Sequence, residues 1–121
     1  MIEQVEQNEA VYESGARRSA LGARWDLLSP VGLRRAAEAA EEGVQKYGAY
    51  NHERGLPVHV YLNHLIAHAY AYLAGDRSED HLGHMAWNAL FACQSEEVYP
   101  ELNVGNQRQP GCLPPKQESA A

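Results

Sequence analysis

Glu38, Glu41 and Glu42 stand in the run Glu-Ala-Ala-Glu-Glu over residues 38–42. On a helix Glu38 meets Glu41 at i+3 and Glu42 at i+4, so three carboxylates share one turn. Like charges at these spacings repel by about a few tenths of a kcal/mol per pair, and they need either solvent or a cation between them. Mg²⁺ suits that task, because it takes hard oxygen ligands and keeps positions for water and a substrate phosphate. A second acidic group, Asp76, Glu79 and Asp80, comes before a row in which Asp80, His84 and Asn88 follow one another a helical turn apart. Trp87 and Phe91 flank that row. An outer polar face has no need of two large aromatics, so the row is expected to be covered, and a covered carboxylate demands a partner such as a metal. Acidic runs are also the ordinary composition of solvated helix faces, so spacing alone leaves both readings open.

All six histidines lie between His52 and His84, and the pairs His64/His68 and His81/His84 have helical spacing that suits a transition metal. A zinc site would need the two pairs to meet in space. Histidines on helices are more often packing residues, which is the expectation here, with Cys93 a core residue. Cys112 sits in a proline-rich stretch, so the two cysteines form neither a disulfide framework nor a metal pair by spacing, and a reducing cytoplasm is the default compartment.

The formal net charge of -6 argues against non-specific binding to nucleic acid, which depends on clustered Lys and Arg. Arg17, Arg18, Arg24, Arg34 and Arg35 nevertheless fall in the first third, ahead of both acidic groups. Basic residues beside paired carboxylates suit a phosphate ligand bridged by a cation. No apolar run approaches the roughly twenty residues that cross a bilayer, and Met1 to Glu13 is acidic where a signal peptide would be basic and then apolar.

The elements that must carry these groups are helices, and the fold class expected is all-α. Residues 1–23 read as a polar arm, 24–99 as the compact helical domain and 100–121 as a flexible, proline-rich tail. In the first helix Ser29 is the N-cap, Pro30 the first residue, Leu33, Ala36, Ala37, Ala40, Val44 and Tyr47 the apolar stripe and Gly48 the stop. Its three glutamates then lie on the other side. Pro57 opens a second helix with the stripe Leu62, Leu65, Ile66, Ala69 and Leu73, ending at Gly75. The third is expected to start at Ser78 as N-cap, with Glu79 and Asp80 in its first turn and Leu82, Met85, Ala86, Ala89 and Cys93 facing the core. No strand-like alternation stands out. Three short helices make a marginal globule, and Trp87 and Phe91 lie opposite their own helix's stripe, so a homodimer or homotetramer is expected.

The run Glu38-Ala-Ala-Glu41-Glu42-Gly43-Val44-Gln45-Lys46-Tyr47-Gly48, then Asn51, Gly55-Leu56-Pro57, His68, Glu79-Asp80-His81-Leu82 and Ala86-Trp87-Asn88-Ala89, resembles the phage dATP/dGTP diphosphohydrolases. These are the MazZ-type branch of the MazG-like superfamily. Gly-x-Arg-x-Asp-Leu-Leu around Arg24 and Asp26 also fits, and the likeness spans about residues 15–95. It implies a helical fold in which carboxylates on two helices hold Mg²⁺ or Mn²⁺. It also implies hydrolysis of a deoxynucleoside triphosphate to monophosphate and pyrophosphate, in the host cytoplasm if phage-encoded. By position Glu38 and Glu41 match the first Glu-x-x-Glu, with Glu42 an adjacent option, and Asp80, with Glu79 beside it, matches the later acidic motif. Gly83 stands where the superfamily's Glu-x-x-Asp has its aspartate, and His52 where an aromatic often follows Asn51.

The chemistry so implied is in-line attack of water on the α-phosphorus, with Glu38, Glu41 and Asp80 binding the cations and Glu42 or Glu79 as general base. Lys46, Arg24 and Arg18 would contact phosphates, and Asn51 or Asn88 sugar or phosphate. Lys46 also suits a helix C-terminus with no ligand at all. Two other readings compete: an HD-type all-α phosphohydrolase, opposed by the lack of any His-Asp dipeptide, and a non-catalytic helical dimerisation module with solvated carboxylates.

Overall fold

The computed structural model describes residues 9–104. Residues 1–8 and 105–121, which hold Cys112 and most of the expected tail, lie outside the described residues. Three helices dominate: α1 (Pro30–Tyr47), α2 (Val58–Leu73) and α3 (His81–Val98). Helix α3 packs against both α2 and α1, and it is the central element of the bundle. The all-α expectation holds, and among the described residues no helix is long and apolar enough to cross a membrane. One feature of the arm departs from it: β1 (Glu9–Val11) and β2 (Arg17–Ser19) pair antiparallel in a small hairpin with Ala10 opposite Arg18. Its strands are too short to show an alternation.

Helix α1 begins as its sequence dictates. Ser29 accepts a hydrogen bond from the Gly32 N–H at 2.9 Å, Pro30 occupies the first turn, and Gly48 closes the helix at φ 87°. The buried face matches the expected stripe only at Ala36. Ala36 and Ala39 are buried, whereas Leu33, Val44 and Tyr47 are exposed. Small residues on this face let α1 approach α3 closely. A Cβ at Gly83 would lie 2.9 Å from the Arg35 carbonyl oxygen and would strike the Asp80 carboxylate.

Helix α3 starts later than Ser78. Asp80 is the N-cap, its carboxylate accepting from the Gly83 N–H at 3.1 Å, and Glu79 lies before the helix. The expected stripe is again displaced: Leu82 and Cys93 are exposed, while His81, Asn88 and Ser95, one heptad apart, are buried. Polar groups occupy this interior line because each meets a partner inside the fold. His81 reaches Asp76 and His68, the Asn88 amide donates to the His84 carbonyl, and the Ser95 hydroxyl donates to the Leu56 carbonyl. Among the described residues no buried side-chain polar atom lacks a partner, as a polar interior requires.

Ordered packing continues beyond residue 99. The short 3-10 turn Pro100–Asn103 returns Asn103 to the bundle, where its carbonyl accepts from the Val58 N–H at 2.7 Å and its amide donates to the Ser95 and Tyr99 carbonyls. The Tyr99 hydroxyl donates to the Glu53 carbonyl. These contacts pin the connection between α1 and α2. At Gly55, φ is 96° and a Cβ would sit 3.0–3.1 Å from Leu102 and Tyr99, so only glycine fits both the backbone and the space.

Candidate functional site

The connection pinned in this way carries Asn51 and His52 to the mouth of a cavity of about 450 Å³. Helix α1 contributes Ala39, Glu42, Gly43 and Lys46, α2 contributes Tyr61, His64 and His68, and α3 contributes His84, Trp87 and Asn88, with Glu79 at the rim. Glu42 and Lys46 reach it because they share the helix face of Ala39 and Gly43, whose small size leaves the cavity open. Inside, His84 Nε2 lies 3.0 Å from Glu42 Oε1 and 3.6 Å from Glu79 Oε1. Carboxylates that are distant in sequence thus converge on one imidazole.

His68 stacks on His84 with ring centroids 4.9 Å apart and planes 11° from parallel. One ligand atom from each of His68, Glu79 and His84 lies within 4.8 Å of the others. Burial pushes the His68 and His52 pKa values below the usual 6.5, helped by His84 at the first and His64 at the second. Both imidazoles therefore stay neutral at pH 7.

A second, more apolar cavity of about 340 Å³ adjoins the first and shares Gly43, Asn51, His52 and Trp87 with it. Val44, Tyr50 and Phe91 add to its walls. His52 meets Trp87 edge-on at 4.4 Å between centroids, and Trp87 meets Phe91 at 4.7 Å. This aromatic group corrects the sequence reading: Trp87 and Phe91 are covered by His52 and Tyr61 of the same chain, so their position alone calls for no second subunit.

Of the site residues expected from sequence, Glu42, Glu79, Lys46, Asn51 and Asn88 meet at the first cavity. The other five are placed elsewhere. Glu38 accepts from Arg34 at 3.1 Å on the outer face of α1, and Glu41 is exposed. Asp80 receives both nitrogens of the Arg35 guanidinium fork while capping α3. Arg24 is paired with Asp26 at 2.8 Å, and Arg18 is exposed on β2. Sequence reasoning passed over the histidines, whose signal was the pairing of His64/His68 with His81/His84. His68 of the first pair meets both members of the second.

The family model described as dATP/dGTP diphosphohydrolase, N-terminal, matches residues 12–104. The chain belongs to that family. The match takes in the hairpin's return strand, all three helices and every residue of both cavities, and it marks the chain as a hydrolase of the nucleotide diphosphohydrolase kind. No curated protein and no solved structure matches the chain.

Asp80 and Asp76 give this diphosphohydrolase domain a definite acid response. The Arg35 guanidinium and the Gly83 N–H hold the Asp80 carboxyl down from 3.8 to about 2. The Ser78 backbone N–H and then His81 hold that of Asp76 down from 3.8 to about 2. A carboxyl whose pKa falls on folding stabilises fully above its unfolded value, and that stability is lost as the pH drops through its folded value. Thermal melts are expected to be level above about pH 4 with respect to these two groups and to fall between pH 4 and 2. Asp80→Asn should flatten part of that fall and lower the melting temperature at pH 7; an unchanged profile would show that the Arg35 pair does not contribute.

Proposed function

We propose that this chain is a MazG-like hydrolase that uses Mg²⁺ or Mn²⁺ to convert dATP and dGTP to monophosphate and pyrophosphate. The observation that carries the reading is the convergence of Glu42, Glu79, Lys46 and Asn51 on one cavity beside an aromatic one. A triphosphate needs acidic groups to hold a cation and a basic group outside them, and a purine needs flat apolar walls. The donor set fits a divalent cation, since two carboxylates approach the same His84 nitrogen at 3.0 and 3.6 Å. When bound, that cation would neutralise phosphate charge and make water at the site more acidic. Glu42 or Glu79 would take the proton from the attacking water. Lys46 would meet the phosphates, Asn51 the sugar or phosphate, and Asn88, held by the His84 carbonyl, the substrate's polar edge. The base would enter beside Trp87 and His52. The resemblance to the phage enzymes points to a role in shaping the nucleotide pool of an infected cell, in its cytoplasm.

Nucleoside triphosphates tested for pyrophosphate release should single out dATP and dGTP. In ¹⁸O-water the label should enter the monophosphate, because attack at the α-phosphorus puts the new oxygen there. Labelled orthophosphate with dADP or dGDP as co-product would sink the reading even if metal binds.

A second copy of the chain is proposed to cover the apolar residues that this subunit leaves outside. Among the described residues only Ala36, Ala39 and Tyr61 are buried apolar side chains, while Val31, Leu33, Ile66, Tyr70, Leu73, Leu82 and Leu90 are exposed along the three helices. So small a core is marginal for a lone domain of this size. Sedimentation at micromolar concentration should show a dimer or tetramer, and Ile66→Glu or Leu82→Glu should weaken it. A stable monomer would refute the assembly.

A further inference from the structure

We propose that His68, Glu79 and His84, with Glu42 beside them, form a nitrogen-bearing site that takes a divalent transition metal in preference to Mg²⁺, and that Asp76 and His81 position it. The inference deepens the hydrolase reading, because Glu42 and Glu79 belong to both. Three separate elements and the turn before α3 bring the donors together: α1 holds Glu42, α2 His68, α3 His84 and the turn Glu79. The His68, Glu79 and His84 donor atoms lie within 4.8 Å of one another. Ligands about 2.0–2.2 Å from a common ion are some 3–4 Å apart, so small side-chain adjustments close the set. Imidazole nitrogen favours later transition metals such as Co²⁺ or Zn²⁺, whereas Mg²⁺ prefers oxygen and retains water.

The hydrogen bonds behind His68 decide which of its nitrogens is available. His81 is buried, its Nε2 is 2.8 Å from Asp76 Oδ2 and its Nδ1 is 2.9 Å from His68 Nδ1. An ionised carboxylate can only accept, so His81 Nε2 carries the proton facing Asp76. When the His81 ring is neutral, its Nδ1 is an acceptor and His68 Nδ1 donates to it. That leaves the lone pair of His68 on Nε2, free for a ligand. A carboxylate behind a histidine is the usual means of orienting a metal-binding imidazole, and here the orientation passes through one intervening ring.

The probe is Co²⁺ added to the full chain, followed by visible absorption and calorimetry, with Mg²⁺ as competitor. Binding with the d–d bands of nitrogen ligation, resisting a hundredfold excess of Mg²⁺, is expected. His68→Ala and His84→Ala should each weaken it at least tenfold. Asp76→Asn tests the relay on a side chain that is roughly half exposed. Its amide would donate to His81 Nε2, reverse both tautomers and place a proton on His68 Nε2, so Co²⁺ affinity should fall by about 10–100-fold. Unaltered Co²⁺ binding in the two histidine variants, or equal competition by Mg²⁺, overturns the metal site. An unchanged Asp76→Asn overturns the relay. Pyrophosphate release without Co²⁺ binding would leave the hydrolase reading standing and this inference refuted; Co²⁺ binding without pyrophosphate release would do the reverse.

Discussion

Replacing Glu42 or Glu79 with glutamine is expected to lower kcat for triphosphate hydrolysis by about 10²–10⁴-fold while the helices remain intact. Both side chains are roughly half exposed, at 57% and 47%, so neither contributes a packed core contact whose loss would unfold the domain. Removing one negative charge from a pair that faces the same imidazole should leave the metal-free protein as stable or slightly more so. The pH–rate profile then separates two roles. A residue that takes the proton from water loses the acidic limb of kcat/KM when it becomes glutamine, whereas a cation ligand shifts the metal concentration needed for half-maximal rate. If both variants retain activity within about fivefold of the parent, the cavity is not where hydrolysis occurs.

Gly83→Ala is expected to destabilise the fold, although helix propensity alone gives the opposite sign. Alanine in a helix interior is favoured over glycine by about 1 kcal/mol. Against that, the added Cβ would lie 2.9 Å from the Arg35 carbonyl, a backbone atom that cannot swing aside, and would meet the Asp80 carboxylate. Overpacking of this sort costs typically about 1–3 kcal/mol, and here it also disturbs the α3 cap and the Arg35 pair. The clash should win, with a net loss of about 1–2 kcal/mol and a melting temperature lower by about 5–15 °C. Gly43→Ala is the matched control. No atom lies within 4 Å of its added Cβ, so this variant should gain up to about 1 kcal/mol. Equal responses at the two glycines would mean that α1 and α3 do not approach as closely as described.

Local signals in the chain determined the helices and one half of their chemistry. Ser29 and Pro30 start α1 and Gly48 ends it, because capping and chain reversal depend on residues adjacent in sequence. The same holds for Glu42 and Lys46, which share a helix face whatever that helix packs against. Which face points inward is a different matter. Leu33 and Leu82 have the hydropathy of core residues, yet the interior line of α3 is His81, Asn88 and Ser95. Hydrophobic periodicity assumes that polar groups inside are unpaired, and here Asp76, His68 and Leu56 satisfy His81 and Ser95 from outside the helix, while the His84 carbonyl one turn back satisfies Asn88.

How the acidic groups divide depends on both helix phase and the packing of α1 against α3. Glu38, Glu41 and Asp80 are as acidic as Glu42 and Glu79 in sequence, but Arg34 and Arg35 claim two of them through contacts that helix phase and the α1–α3 approach create. His68 and His84 stack because α2 and α3 bring together rings that are sixteen residues apart. No spacing rule spans that separation, since it depends on the path of the turn between the helices. Caps, turns and residue types read along the chain were enough to define a helical bundle bearing carboxylates and histidines. Packing decided which of them face one another, because that depends on the rotation of each helix about its axis and on partners supplied from elsewhere in the chain.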